Sequence, residues 1–289
     1  MSEGPGETVS TLLHTMLQAR QALGGQPDTP FATSQDVRTW FGDTRDEILA
    51  AANQAVTLDD HRLAAQFLTT AWAIVPPDAE TTWCDELRDC GHRLSTTAPE
   101  SPGLAGVFRR SAAVYHARGD YRFAEAEGLQ ELAVRRELDD PDEHVAALDS
   151  LTRTFLARDR LHLAMDCADE RLAVHIDHDR HQDIAVDLQH LGVLLLVSDR
   201  ADTAVDYFTR ARDAFDDLPD IPAQQHAHVR MLLGLALWQT GRAAAAEREF
   251  SIALRYLMGV PHADARSNDW EPAAGSGFRS YPSDRRGRR

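Results

Sequence analysis

The stretch LGVLLLVSDRADTAVD, residues 191–206, decides the fold, because a short Ser-Asp-Arg turn joins two runs that have the apolar spacing of a helix. The same layout recurs three times, in AAVYHARGDYRFAEA at 112–126, LTRTFLARDRLHLAMD at 151–166 and LGLALWQTGRAAAAER at 233–248. Successive turns are 40, 40 and 42 residues apart, at Gly119, Asp159, Asp199 and Gly241. This constant period predicts four helical hairpins in tandem.

Equivalent positions around the four turns carry equivalent side chains. Five residues after the turn stands an alanine in every copy: Ala124, Ala164, Ala204 and Ala246. Seven residues before it stands a small residue: Ala112, Thr152, Gly192 and Gly234. Small residues that face each other across a hairpin let the two backbones approach closely, so we expect each helix pair to cross at these positions.

A fifth hairpin is predicted over residues 48–76, with Asp59 as its turn and Pro76 at the end of its second helix. The gap of 60 residues between Asp59 and Gly119 is one and a half periods, which leaves room for one unpaired helix over 78–94. The pattern therefore predicts about eleven helices, five hairpins and one unpaired helix.

Two terminal segments flank this array. Residues 7–23 place their leucines, Val9 and Met16 on one helical face, which predicts an amphipathic packing helix. The last segment is rich in Gly, Pro, Ser and Arg and is expected to be disordered, with its aromatic Trp270 as part of an alternative recognition segment. The predicted domains are 1–35, 36–98, 99–258 and 259–289.

The offsets resemble those of the tetratricopeptide repeat, although the period here is about 40 residues and the standard one is 34. The order of the N-terminal helix and of FATSQDVRTWFGDTRDEILAAANQAV at 31–56 is similar to the sensor region of actinobacterial NB-ARC regulators of the antibiotic-regulatory type. The resemblance implies an all-α fold, a right-handed superhelical α-solenoid with a concave binding surface.

Composition excludes several kinds of chemistry. All 30 basic residues are arginine, so a Walker lysine and a Schiff-base lysine are impossible. The net charge of −16 opposes direct nucleic-acid binding. With neither a long apolar run nor a cleavable leader, and with only three cysteines, we expect a cytoplasmic chain without membrane contact or a disulfide framework.

Candidate metal ligands and catalytic groups are few. His175, His178 and His181 follow one another at three-residue steps, but the repeat register places them in a loop, where the rings need not converge. Cys84 and Cys90 are six residues apart, which is too far for a zinc pair and typical of buried apolar residues. Because none of the common catalytic motifs occurs, we expect no enzyme, no metal and no cofactor.

The resemblance also implies that the first helix of each hairpin lines the concave face, at positions ten, six, three and two before the turn. The candidate groove residues are Asn53, Arg109, His116, Asp149, Arg153, Gln189, Val193, Met231, Leu235, Trp238 and Gln239. This wall is polar and cationic at one end and apolar at the other. Guanidinium forks suit carboxylates and Trp238 suits an anchor side chain, although Arg109 and Arg153 have acidic neighbours with which to pair instead.

These features favour a non-catalytic module that binds a protein or peptide in the groove, as an adaptor or regulator in an actinobacterial specialised-metabolite pathway. Two alternatives stay open. One is a homodimeric scaffold that pairs through the N-terminal helix or an end of the solenoid. The other is an enzyme or small-molecule binder that uses the groove or the 175–181 segment.

Overall fold

The computed structural model describes residues 5–26, 29–101, 103–138 and 140–259. This part of the chain contains twelve α-helices and no strand. The helices are α1 (Pro5–Leu23), α2 (Ser34–Ala55), α3 (His61–Ile74), α4 (Thr81–Thr97), α5 (Leu104–Ala117), α6 (Tyr121–Arg136), α7 (Pro141–Ala157), α8 (Leu161–Asp177), α9 (His181–Val197), α10 (Ala201–Asp217), α11 (Ala223–Gln239) and α12 (Ala243–Leu257). The all-α array of hairpins predicted from the repeats is confirmed.

The four repeat turns have one backbone conformation. Gly119 and Gly241 have φ angles of 80° and 78°, and Asp159 and Asp199 both have 56°. These values lie in the left-handed region, which glycine enters freely and aspartate tolerates through its short polar side chain. The two residue types therefore occupy the same turn position for the same conformational reason.

The first hairpin turns differently. Asp59 is not among the left-handed residues of the described chain, so it does not repeat the turn of the later hairpins. The adjacent Asp60 is the N-cap of α3, and its side chain accepts a hydrogen bond from the Leu63 amide at 2.9 Å. Here a side-chain cap replaces the left-handed turn residue.

The helices of each hairpin meet at the predicted small residues. The alanines five residues after the four turns are at most 1 % exposed. A Cβ atom at Gly192 would lie 2.6 Å from the Phe208 ring, and a Cβ atom at Gly234 would lie 2.6 Å from the Phe250 ring. Glycine is thus required for the ring of the second helix to rest on the backbone of the first.

Hydrogen bonds show that the first helices of successive hairpins lie side by side. Arg109 of α5 donates to Glu143 of α7 at 2.7 Å, and Gln225 of α11 donates to Gln189 of α9 at 3.2 Å. We call the row formed by α5, α7, α9 and α11 the first-helix wall.

The second helices form a parallel row. Arg136 of α6 makes a two-pronged contact with Glu170 of α8, at 2.9 and 2.6 Å. Arg212 of α10 donates to Glu249 of α12 at 3.1 Å. Both rows are therefore linked by side chains that join one hairpin to the next, and arginine is the donor in most of these links.

The unpaired α4 does not interrupt the array, because α3 packs directly on α5 and α4 lies against α2, α3 and α5. The rings of Trp72 in α3 and Tyr115 in α5 are 5.7 Å apart at their centroids. As expected, Cys84 and Cys90 are fully buried in α4.

At the N-terminus α1 packs on α2 and α3. Val9, Leu13 and Met16 are buried, and Ala19 continues their face. Leu23, which was predicted to share this face, is 41 % exposed because it is the final residue of α1 and the buried face ends before it. Among the described helices, none is long and apolar enough to cross a membrane. The predicted tail lies outside the described residues except for Gly259.

Candidate functional site

The predicted groove residues belong to the first-helix wall, together with Asn53 of α2, and the cationic ones are already paired. Arg109 Nη1 lies 2.7 Å from Glu143 Oε2. The same oxygen also accepts a contact from Arg135 Nη2 at 2.8 Å. A guanidinium that shares a carboxylate with a second guanidinium keeps part of its positive charge available to a further anion.

Glu131 of α6 lies buried close to this cluster. It is 1 % exposed, and its carboxyl oxygens make no hydrogen bond; the closest ion-pair contact is Arg135 Nε at 3.9 Å. Burial raises the pKa of Glu131 to about 7, with Arg109 and Arg135 opposing the rise and Glu143 adding to it. This carboxyl group therefore takes up a proton near neutral pH.

In the next hairpin Arg153 pairs with Asp149 on its own helix. The other oxygen of Asp149 accepts a hydrogen bond from Arg171 of α8 at 2.9 Å. Arg171 Nε also reaches Asp187 of α9 at 2.7 Å, and its other terminal nitrogen lies 2.9 Å from His190 Nδ1. One buried arginine thus ties three consecutive helices together.

The uncharged polar candidates are likewise engaged within the chain. His116 Nδ1 lies 3.1 Å from Thr154 Oγ1. Gln189 is 5 % exposed beneath its contact with Gln225. Asn53 accepts a hydrogen bond from Arg93 and borders a cleft of about 480 Å³ that is separate from the first-helix wall. Gln239, in contrast, is exposed.

The apolar candidates remain open. Met231, Leu235 and Trp238 are 47 %, 42 % and 60 % exposed, while Val193 is only partly exposed. Two further residues at the same offsets, which the candidate set does not include, are Leu156, three before its turn and 41 % exposed, and Val197, two before its turn and 62 % exposed.

The offsets themselves would have found both residues, since Leu156 and Val197 stand on α7 and α9 where the candidate set has Trp238 and Gln239 on α11. Open apolar side chains therefore occur on three successive first helices. We call this set the apolar strip; its members are Leu156, Val197, Met231, Leu235 and Trp238.

The histidine segment is only partly a loop. His175 lies inside α8, is 5 % exposed, and places its Nδ1 2.7 Å from Asp187 Oδ2. His178 is exposed at the end of α8, and His181 begins α9. The prediction of a loop was wrong for His175, because α8 continues one turn further than the repeat register implied. The described residues contain no group of three or more His, Cys, Asp or Glu side chains able to hold a metal ion.

One serine, glutamate and histidine lie in line where α4, α5 and α6 meet. Ser111 Oγ donates to Glu127 Oε2 at 2.6 Å, and His92 Nε2 lies 2.8 Å from Glu127 Oε1. That hydrogen bond raises the pKa of His92. Because the carboxylate stands between the hydroxyl and the imidazole, the base is not next to the nucleophile, and Ser111 is not activated as in a hydrolase triad.

Comparisons with known proteins bear on the fold. No protein-family model and no curated protein matches the chain. The crystal structure of BtubC (BKLC) from P. vanneervenii is similar over 93 % of this chain and 97 % of its own, with 15 % identity and a TM-score of 0.50. A point variant of nearly identical TPR-like repeats from Podosopora anserina, assigned to a kinesin light chain, is similar over 74 % of this chain and 98 % of its own, with 14 % identity and a TM-score of 0.50.

Identities this low speak to the fold alone. They agree with the left-handed turns, the small residues at the hairpin crossings and the two rows of helices. The chain is an α-solenoid of tetratricopeptide-like helical hairpins.

Proposed function

We propose that the chain is a non-catalytic binding module that holds an extended protein or peptide segment on its first-helix wall. The observation that carries this proposal is the apolar strip. Large apolar side chains that stay open on consecutive helices are a feature of interaction surfaces, because isolated exposed leucines are common but aligned ones are not.

The chemistry of the wall defines the ligand. Leu156, Val197 and Trp238 come from successive hairpins, so a segment that contacts all three must be extended and must offer apolar side chains at intervals. Trp238 provides the largest apolar surface and is the best anchor site. Arg109 and Arg153 lie toward the other end and favour acidic residues in the same ligand.

Arg109 and Arg153 are weaker determinants than the apolar strip, since each already has a carboxylate partner. Exposed ion pairs contribute little free energy, and exchanging one carboxylate for another gains less than filling an open apolar surface. We therefore expect the apolar strip to set affinity and the arginines to set the orientation of the ligand.

A role as adaptor or regulator in an actinobacterial specialised-metabolite pathway is the finer form of this proposal. It rests on the sequence resemblance to NB-ARC sensor regions. The geometry of the wall is compatible with it, because a sensor or adaptor needs a binding surface and no reactive group.

A displayed library of random peptides, panned on the purified chain, tests the proposal with a defined probe. We expect the enriched peptides to carry spaced apolar residues. Their affinity should fall by roughly 10- to 30-fold for Trp238→Ala, the loss expected of a buried aromatic anchor. A change of Val197→Asp should weaken the same peptides, because it places a charge in the apolar strip.

The matched control is Ile176→Ala, which removes an apolar side chain that is 50 % exposed on the second-helix row. This variant should bind the selected peptides as the unchanged chain does. If peptides enrich but bind Trp238→Ala and Val197→Asp at full affinity, the first-helix wall is not the binding surface.

A further inference from the structure

Each inner hairpin has its second helix covered by the hairpin that follows. Nine, thirteen and sixteen residues after the turn, α8 has Ala168, Leu172 and His175, all at most 8 % exposed. The same positions of α10 hold Phe208 and Phe215, both fully buried, and Arg212 between them. These positions therefore form the face on which the next first helix rests.

The cover on α10 comes from α11. Phe215 shares an apolar cluster with Val229, and Phe208 shares one with Leu233. The polar residues at these positions also have partners in the next hairpin, since His175 bonds to Asp187 and Arg212 bonds to Glu249. An inner face thus combines apolar packing with a polar link.

In α12 the equivalent face is open and entirely apolar. Phe250, Leu254 and Leu257 are 39 %, 51 % and 56 % exposed, and Met258 beside them is 66 % exposed. We call these four residues the end face. It has no polar group to match the links of the inner hairpins, whereas a solenoid end that faces water needs a polar outer surface.

The opposite end of the array is different in character. The side chains of Ser10, Thr11 and His14 are exposed on α1. A head-to-tail contact would therefore set the apolar end face against hydroxyl and imidazole groups. The surface of this chain that best matches the end face is the end face itself.

The remaining sequence of the chain is a poor source of a covering helix. Pro261, Pro272 and Pro282 divide residues 260–289 into runs of at most ten residues. Proline removes a backbone donor and clashes inside a helix, and the shortest helices of the array, α3 and α5, have 14 residues. A helix of the length that covers α10 does not fit between these prolines.

We propose that the end face pairs with the end face of a second copy of the chain, so that two solenoids join about a twofold axis at their last hairpins. In such an isologous contact each residue of one copy meets the same patch of the other. Flat hydrocarbon surfaces meet this condition without any matching of charges. The contact uses α12 and leaves the apolar strip of each copy free.

Sedimentation velocity of the full chain over a wide range of concentrations tests this proposal. We expect a reversible change from one chain to two as the concentration rises. Leu254→Glu and Leu257→Glu should each weaken the dimer by at least about 100-fold, because a carboxylate would enter an apolar contact without a partner.

Ile176→Glu is the control, since it puts the same charge on a similarly exposed apolar position of α8. It should dimerise as the unchanged chain does. Circular dichroism of all three variants checks that the helices are intact, which we expect because each changed side chain is at least half exposed.

A chain that stays monomeric at every concentration would overturn the proposal and would leave the end face to residues 260–289 or to a different protein. A dimer that survives both glutamate substitutions would also overturn it, because the contact would then lie elsewhere. Neither result bears on peptide binding by the apolar strip.

Discussion

At the scale of single residues, the repeats depend on contacts between a backbone and a ring. Gly192 and Gly234 stand at the same repeat position and face Phe208 and Phe250 at the same distance. The two rings differ in freedom, because Phe208 is fully buried and Phe250 is 39 % exposed at the end of the array. The same substitution should therefore have different consequences at the two sites.

Gly192→Ala should destabilise the chain and Gly234→Ala should not. A methyl group at either position gains about 1 kcal/mol of helix propensity, but overpacking a fixed ring costs roughly 1–3 kcal/mol. Phe250 can move outward and avoid that cost. The denaturation midpoints in urea measure the difference.

Gly234→Ala is the matched control for Gly192→Ala, since the repeat position and the chemical change are identical. Equal midpoints for the two variants would mean that the exposed ring is held as firmly as the buried one.

At the scale of helices, arginine and carboxylate groups join one element to the next. Arg171 connects α7, α8 and α9, while Glu131 sits buried in α6 without a hydrogen bond. Both residues stand twelve positions after their turns, where α10 and α12 have Ala211 and Ala253. The same packing position thus holds a positive charge, a negative charge or a methyl group, according to what its neighbours provide.

Glu131 should make the array less stable as the pH rises. Its pKa is raised from 4.5 to about 7, so the folded chain binds its proton more tightly than the unfolded chain does. The stabilisation due to the bound proton is complete below pH 4.5 and is lost as the pH rises through 7. The Glu131→Gln variant should lack this loss, and its advantage over the unchanged chain should grow by about 1–3 kcal/mol between pH 5 and pH 8.

Urea denaturation at both pH values measures this effect, with the exposed Glu247→Gln as a control. The comparison must be made at each pH, because His92, whose pKa is raised by its bond to Glu127, also loses stabilisation as the pH rises. Parallel pH profiles for Glu131→Gln and the unchanged chain would contradict the prediction.

At the scale of the whole molecule, the array is covered along its length and open at its last hairpin. Local opening of a protein is easiest where few apolar contacts hold an element in place. The last helix, α12, contacts α11 but has no following hairpin among the described residues. The ends of the array should therefore differ in stability from its middle.

Hydrogen exchange should show this difference at low protein concentration. Backbone amides of α12 should exchange at least about tenfold faster than those of α10, because the face of α10 is covered by α11. Mass spectrometry of peptides from the two helices measures the rates. Pairing of two end faces would slow α12 selectively at high concentration, whereas α10 serves as the internal reference.

Much of the fold was predictable from the sequence, because the turn residues and the small residues repeat at fixed offsets. The apolar members of the site were predictable for the same reason, and Leu156 and Val197 follow from those offsets too. The pairing of Arg109, Arg153 and Asp149 was not, because their partners come from other helices at distances that no single offset records. The buried position of His175 was missed because one extra helical turn moves it out of the loop.

The turn sequence Asp-Arg has a consequence for the length of the array. Asp159 and Asp199 bend the backbone, and the arginine that follows each of them begins the next helix. Arg160 donates to Glu125 at 2.7 Å, one hairpin back, and Arg242 donates in the same way to Asp202 at 2.8 Å. Bend and fastening thus travel together in adjacent codons, so that copying a block of 40 residues also copies the joint that attaches it. Proteins of this kind can lengthen by duplication without inventing a new junction.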